Sequence, residues 1–147
     1  MSYETWNTYG YGICVDDIET TAEKLLKVAS MNENVLKNVR EYLEEIYPNG
    51  YKDKDLTLDD FEGLEGDYCE HGIAYVLYQV IDDFTVTFAD DYNGTAYILY
   101  TPTYPWSMTE KEKNLKEEGV KHVFKKYIDI LTDKSVPIDY YNVENGG

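Results

Sequence analysis

The chain has 147 residues, 43% of them hydrophobic and 15% aromatic, enough for a single domain spanning 1–147 with its own core. Its 29 acidic residues outnumber 13 basic ones, for a net charge of −16. That sign argues against direct binding to nucleic acid or to an anionic membrane, both of which reward positive charge.

The charge is unevenly placed: residues 48–110 carry −11, whereas residues 111–134 carry +2. No window approaches the ~18 apolar residues of a membrane span. The first ten residues lack the basic and apolar runs of a secretory signal. The expected location is the cytoplasm, where Cys14 and Cys69 stay reduced.

Residues 9–15, Tyr-Gly-Tyr-Gly-Ile-Cys-Val, are expected to form the first strand. Their two glycines signal a bulge or a close backbone approach. Asp16 and Glu19 have capping-box spacing and predict a helix carrying Ile18, Ala22, Leu25, Leu26 and Ala29. After a break near Ser30 to Asn34, a second helix aligns Val35, Leu36, Val39, Tyr42, Leu43 and Ile46 on one face. Pro48-Asn49-Gly50 ends it. The stretch from Tyr51 to Asp67 reads as an acidic loop with a helical turn near Leu58 to Leu64. In 68–84, alternation of Ala74, Val76, Tyr78 and Val80 would suit a strand. The spacing of Ile73, Val76, Leu77, Val80, Ile81 and Phe84 suits a helix better, and the run is long for a strand.

A hairpin follows, with strands over 85–92 and 95–101. Asn93-Gly94 suits a two-residue type I′ turn, which requires positive φ at both positions. That register sets Phe88 opposite Leu99, with Val86 and Tyr97 on the same face. Ala89, Ile98 and Tyr100 then share the other. Pro102 to Trp106 is expected to be an ordered loop. Ser107 and Glu110 have capping-box spacing for a last helix, with Val120, Val123, Phe124, Tyr127, Ile128 and Leu131 as its apolar stripe. Residues 138–143 predict a final strand, and Gly146-Gly147 reads as a frayed end, not the tail of a ubiquitin-like modifier. The order β-α-α-α-β-β-α-β argues an α+β fold, a small, mostly antiparallel sheet with helices packed against it.

The run Tyr97-Ile98-Leu99-Tyr100-Thr101-Pro102-Thr103-Tyr104-Pro105-Trp106, followed by Thr109-Glu110-Lys111-Glu112-Lys113-Asn114, resembles a pattern in uncharacterised small acidic proteins of Firmicutes phages and conjugative elements. The likeness covers the C-terminal third and extends to Val143-Glu144-Asn145-Gly146-Gly147. It implies a mobile-element setting. It assigns no activity, and no catalytic or binding residue.

Familiar chemical motifs fail one by one. An EF-hand loop begun at Asp53 has Asp55 and Thr57 in place, but Leu58 where glycine is needed and Leu64 where glutamate is needed. Cys69-Glu70-His71 cannot bring thiol and imidazole together on a helix, where residues two apart point about 200° apart. Cys14, Cys69, His71 and His122 lack zinc spacing. The pairs Asp16-Asp17, Glu44-Glu45, Asp59-Asp60, Asp82-Asp83, Asp90-Asp91 and Glu117-Glu118 read as solvated surface or caps, not as the paired acids of a glycosidase. Neither a phosphate loop nor a nucleophile elbow is present, so no catalytic, cofactor or metal residue is assigned.

The expected function is that of a non-enzymatic interaction protein whose acidic surface meets a basic partner. Its sharp form is a nucleic-acid mimic acting on a DNA-processing protein. Average charge is too sparse for that form: one excess charge per ~490 Å² of expected surface, against one per ~100 Å² on B-DNA. Clustering is therefore required. The candidate contacts are Asp53, Asp55, Asp59, Asp60, Glu62, Glu65 and Asp67, with Tyr104 and Trp106 as aromatic anchors. The alternatives are an accessory subunit held by apolar contacts, and an enzyme or small-ligand binder without a recognisable motif.

Overall fold

The computed structural model describes residues 5–64, 72–100 and 116–146. In chain order these form β1 (Thr5–Cys14), α1 (Ala22–Ala29), α2 (Glu33–Ile46), α3 (Gly72–Val80), β2 (Val86–Asp90), β3 (Ala96–Tyr100), α4 (Glu117–Leu131) and β4 (Asp139–Gly146). All strand pairs are antiparallel, in the order β2-β3-β1-β4. The fold is α+β, in the element order expected from the sequence.

Short polar side chains set the first helix starts. Asn32 Oδ1 accepts hydrogen bonds from the amides of Asn34 (2.9 Å) and Val35 (3.2 Å) and caps α2. Thr21 Oγ1 accepts from Lys24 N at 3.3 Å and caps α1. The expected start at Asp16 is therefore corrected. Val15–Asp17 is a short 3-10 turn, and Ile18 is extended, with its side chain buried. Glu19 pairs with Lys134 instead of closing a capping box. The stripe expected for the last helix is buried in full along α4. Ser107 and Glu110, proposed as its start, lie outside the described residues, as does the loop from Pro102 to Trp106. α3 is shorter than 68–84 and is apolar nearly all round, as a helix enclosed by the rest of the fold must be.

The main core lies between the sheet and α1, α3 and α4, with α2 against α1 and α3. Phe84 links the layers, its ring 4.8 Å from Tyr100 on β3 and 5.5 Å from Phe124 on α4. Asp83 ties the α3–β2 connection to α4: Tyr127 Oη donates to its carboxylate at 3.3 Å, and Lys126 lies 3.6 Å away. Burial, followed by the Asp83 charge, drives the Tyr127 phenol far above its ordinary range.

The hairpin register differs from expectation by one residue. Phe88 pairs with Ile98, not Leu99. Val86, Phe88, Ile98 and Tyr100 therefore face the helices, while Ala89, Tyr97 and Leu99 face away. The cause is the Asp91 carboxylate. It accepts from Asn93 N (2.8 Å) and Thr95 N (3.0 Å), while Gly94 N donates to Asp91 O and Asp91 N to Thr95 O. These bonds close a longer loop in which Gly94 takes positive φ, at 78°.

A second, smaller cluster, Ala89, Leu99 and Val143, is buried on the face away from the helices. β2 and β4 approach each other although β3 and β1 lie between them in the hydrogen-bonded order. The sheet is thus strongly coiled, with this cluster on its inner side. β4 also runs further than expected. Gly146 pairs with Thr5 and is part of a ladder, because β1 extends back to Thr5 and offers it partners. Gly147 lies outside the described residues.

Candidate functional site

The acidic loop is held from beneath by buried Phe61 and Leu64. A 3-10 turn, Leu58–Phe61, begins at Thr57. Asp60 is structural: its Oδ2 accepts from Thr57 N at 2.8 Å, and its Oδ1 accepts from Tyr47 Oη at 2.6 Å. The Tyr47 hydroxyl, with the Thr57 amide, holds the Asp60 carboxyl below its ordinary value. Asp53, Asp55, Asp59 and Glu62 are exposed, and their side chains make no hydrogen bond or ion pair with another described residue. Positive charge is mixed among them. Lys52 and Lys54 line a groove of about 360 Å³ together with Asp55 and Glu23, and the Lys54 ammonium lies 5.7 Å from the Tyr47 ring centre. Glu65, Asp67, Tyr104 and Trp106, the other sequence candidates, lie outside the described residues.

A different acidic surface is assembled by the sheet. β3 and β4 flank β1, so their backbones stand about 10 Å apart. A β1 side chain on the face away from the helices would normally rise between them. Here that face of β1 presents Gly10 and Gly12, opposite Tyr141 and Leu99, and then Cys14 opposite Tyr97. Without side chains at the two glycines, the Tyr97 and Tyr141 rings meet across β1, with centres 5.2 Å apart and planes tilted by 52°. They pack on the buried Ala89, Leu99 and Val143. Gly12 is constrained further, because a β-carbon there would collide with the Ile98 carbonyl oxygen and lie 2.9 Å from Leu99 Cα. This is the close approach that the glycine spacing signals.

Three carboxylates from distant parts of the chain carry charge that reaches this ring pair. Asp17 ends the turn after β1, Asp91 opens the hairpin loop, and Asp139 begins β4 opposite Gly12. Burial pushes the Tyr97 and Tyr141 phenols up; Cys14 adds to both, Asp91 and Asp17 to Tyr97, and Asp17 and Asp139 to Tyr141. Among the described residues, no lysine or arginine forms an ion pair with Asp17, Asp91 or Asp139. Lys121 senses Asp139, but its ammonium lies on the helix side, 5.6 Å from the Tyr11 ring centre and 3.7 Å from Glu117.

No family model, curated protein or solved structure matches this chain. The functional reading therefore rests on the site alone.

Cys14 is buried, and burial pushes its thiol up, with Asp17 and Asp16 adding to the shift, so the reactive thiolate is disfavoured. Cys69 and His71 lie outside the described residues. Among those described, no three His, Cys, Asp or Glu side chains are grouped to hold a metal ion, and no helix is long and apolar enough to cross a membrane. A cleft of about 370 Å³ opens between Tyr11, Tyr100, Tyr140 and the start of α4. Its carboxylate, Glu117, is engaged by Lys121.

The sequence marks Asp16-Asp17 and Asp90-Asp91 only as solvated surface or caps. Tyr97 is named there only as a hairpin residue, and Tyr141 and Asp139 are not singled out. The available signal was Tyr-Gly-Tyr-Gly in β1, where glycines at alternate positions strip one face of the strand of side chains.

Proposed function

We propose that this chain is a non-enzymatic interaction protein that engages a cationic partner through the acidic, aromatic end of its sheet. The observation that supports the reading is the Tyr97–Tyr141 contact across β1, with Asp139 on the same face of β4 as Tyr141 and the charges of Asp17 and Asp91 acting on the same rings. Three separate segments supply like charges that act on one ring pair, and no described cation offsets them by an ion pair. Like charges gathered in this way cost stability, and a partner of opposite charge relieves that cost on binding.

Global mimicry of nucleic acid is less well supported. The accessible surface is 9354 Å², and 16 excess charges give about one per 580 Å², several-fold sparser than the roughly one per 100 Å² of B-DNA. A local acidic patch suits a basic segment of a protein better than it suits a full duplex-binding channel.

The test is binding of a basic peptide at low and moderate salt, by calorimetry or fluorescence anisotropy. The native chain is expected to bind with an affinity that falls as salt rises. The combined Asp17→Asn, Asp91→Asn and Asp139→Asn variant is expected to bind at least about tenfold more weakly, the effect of ~1.4 kcal/mol. Equal binding by native and variant chains, or affinity indifferent to salt, would overturn the proposal.

A further inference from the structure

The direction of the backbone groups in each strand follows from the hairpin. Asp91 N donates to Thr95 O, so Thr95 and then every second residue of β3, Tyr97 and Leu99, bond to β2. Ala96, Ile98 and Tyr100 therefore turn to β1, in agreement with the Ile98 carbonyl oxygen, which points at Gly12. In β1, Tyr11 and Ile13 are their partners, so Thr8, Gly10 and Gly12 turn to β4. Val143, Tyr141 and Asp139 answer them, and the backbone groups of Tyr140, Asn142 and Glu144 point out of the sheet.

β4 is an end strand in the order β2-β3-β1-β4 and runs for 8 residues. Tyr140, Asn142 and Glu144 are exposed. β2 meets the inner face of β4 at Ala89 and Val143 but forms no ladder with it. Asp139 accepts from Tyr140 N at 2.8 Å and so occupies that amide. Among the described residues, none accepts a hydrogen bond from the amides of Asn142 and Glu144. Long edges are commonly guarded by lysine, proline or a bulge. β4 has none of these: its ladder with β1 is continuous, and no lysine or arginine occurs in any of the four strands. The charges along it are the carboxylates of Asp139 and Glu144.

We propose that the outer edge of β4 is a strand-addition site for an extended, basic segment of a partner protein. The proposal rests on the function proposed above and deepens it by stating how the basic segment is held. Main-chain bonds to Asn142 and Glu144 supply affinity. Asp139 and Glu144, on opposite faces of the strand, favour positive side chains on the incoming one. A second copy of this chain is a poor occupant, because it brings an equally acidic edge and a net charge of −16.

The probe is a synthetic peptide alternating lysine and threonine, matched in length to β4. The readout is amide hydrogen exchange in the native full chain, resolved by NMR. In the dilute free chain, the Tyr141 and Val143 amides are expected to exchange slowly, and those of Asn142 and Glu144 freely. Near-saturating peptide is expected to slow the latter pair about tenfold. N-methylation of alternate peptide amides is expected to weaken binding about tenfold in one phase and little in the other, because only one set faces β4. Asn142→Pro removes an outward amide that the β1 ladder does not use. It is expected to weaken binding to a similar extent while Tyr141 and Val143 stay protected. Asn142 and Glu144 amides already protected in the dilute free chain, or protected only as the chain is concentrated, overturn the proposal, the second result in favour of a pair of copies. Peptide binding that leaves these amides unprotected also overturns it, while the charge reading stands. Absence of peptide binding overturns both.

Discussion

The two acidic regions of this protein differ in what their neighbours do with the charge. In the loop from Tyr51 to Leu64, carboxylates are close in sequence, Lys52 and Lys54 are interleaved with them, and Asp60 is used to hold the backbone. At the sheet end, carboxylates 122 positions apart in the chain (Asp17 and Asp139) act on the same tyrosine. Density of charge in the sequence is thus a poor guide to density of charge in space. The local run is solvated and interleaved with lysines, whereas strand pairing brings together residues that are distant in the sequence.

The contrast can be tested first by removing what supports the sheet end. Leu99→Ala takes out a fully buried side chain beneath the tyrosine pair. It is expected to cost about 4 kcal/mol in urea denaturation and to loosen the Tyr97–Tyr141 contact. Gly12→Ala forces a methyl group against the β3 backbone. Its expected cost is about 2 kcal/mol, with disturbed amide resonances concentrated in 11–14 and 97–100; a silent spectrum would refute the close approach.

In the loop the expected effects are smaller. Asp60→Ala removes the acceptor for Thr57 N and Tyr47 Oη, and should lower stability by about 1 kcal/mol. This contribution depends on pH with a fixed sign. The folded carboxyl titrates below its ordinary 3.8, so its stabilisation is present above that value and is lost as pH falls through the lower folded pKa. An acid titration of thermal midpoint should therefore flatten below pH 3.8 in the variant. Smallest of all, Asp53→Asn, Asp59→Asn and Glu62→Gln together should move stability by no more than about 0.5 kcal/mol. They should weaken basic-peptide binding far less than the Asp17, Asp91 and Asp139 variant does. A larger loss from the loop set would return the candidate site to the loop.

Where the sequence was misread, the cause was a competing bond or a longer partner. Asn93-Gly94 is a sound turn signal, but Asp91 captured two amides and lengthened the loop by enough to turn Leu99 and Tyr97 away from the helices. Asp16 looked like a cap, yet Thr21 provides the bond and Ile18 is spent on the core. Of the candidate contacts, Asp60 was legible as an acidic residue but not as a capping one, since its partner Tyr47 lies 13 positions away across a turn.

Helical stripes, the strands and the α+β order follow from the sequence alone, because the periodicity of apolar residues and the caps act over a few neighbours. Register, the coiling of the sheet and the company kept by Asp17, Asp91, Asp139, Tyr97 and Tyr141 were decided by tertiary structure. Those features depend on which strands pair and by what offset, and a shift of one residue moves every side chain to the opposite face.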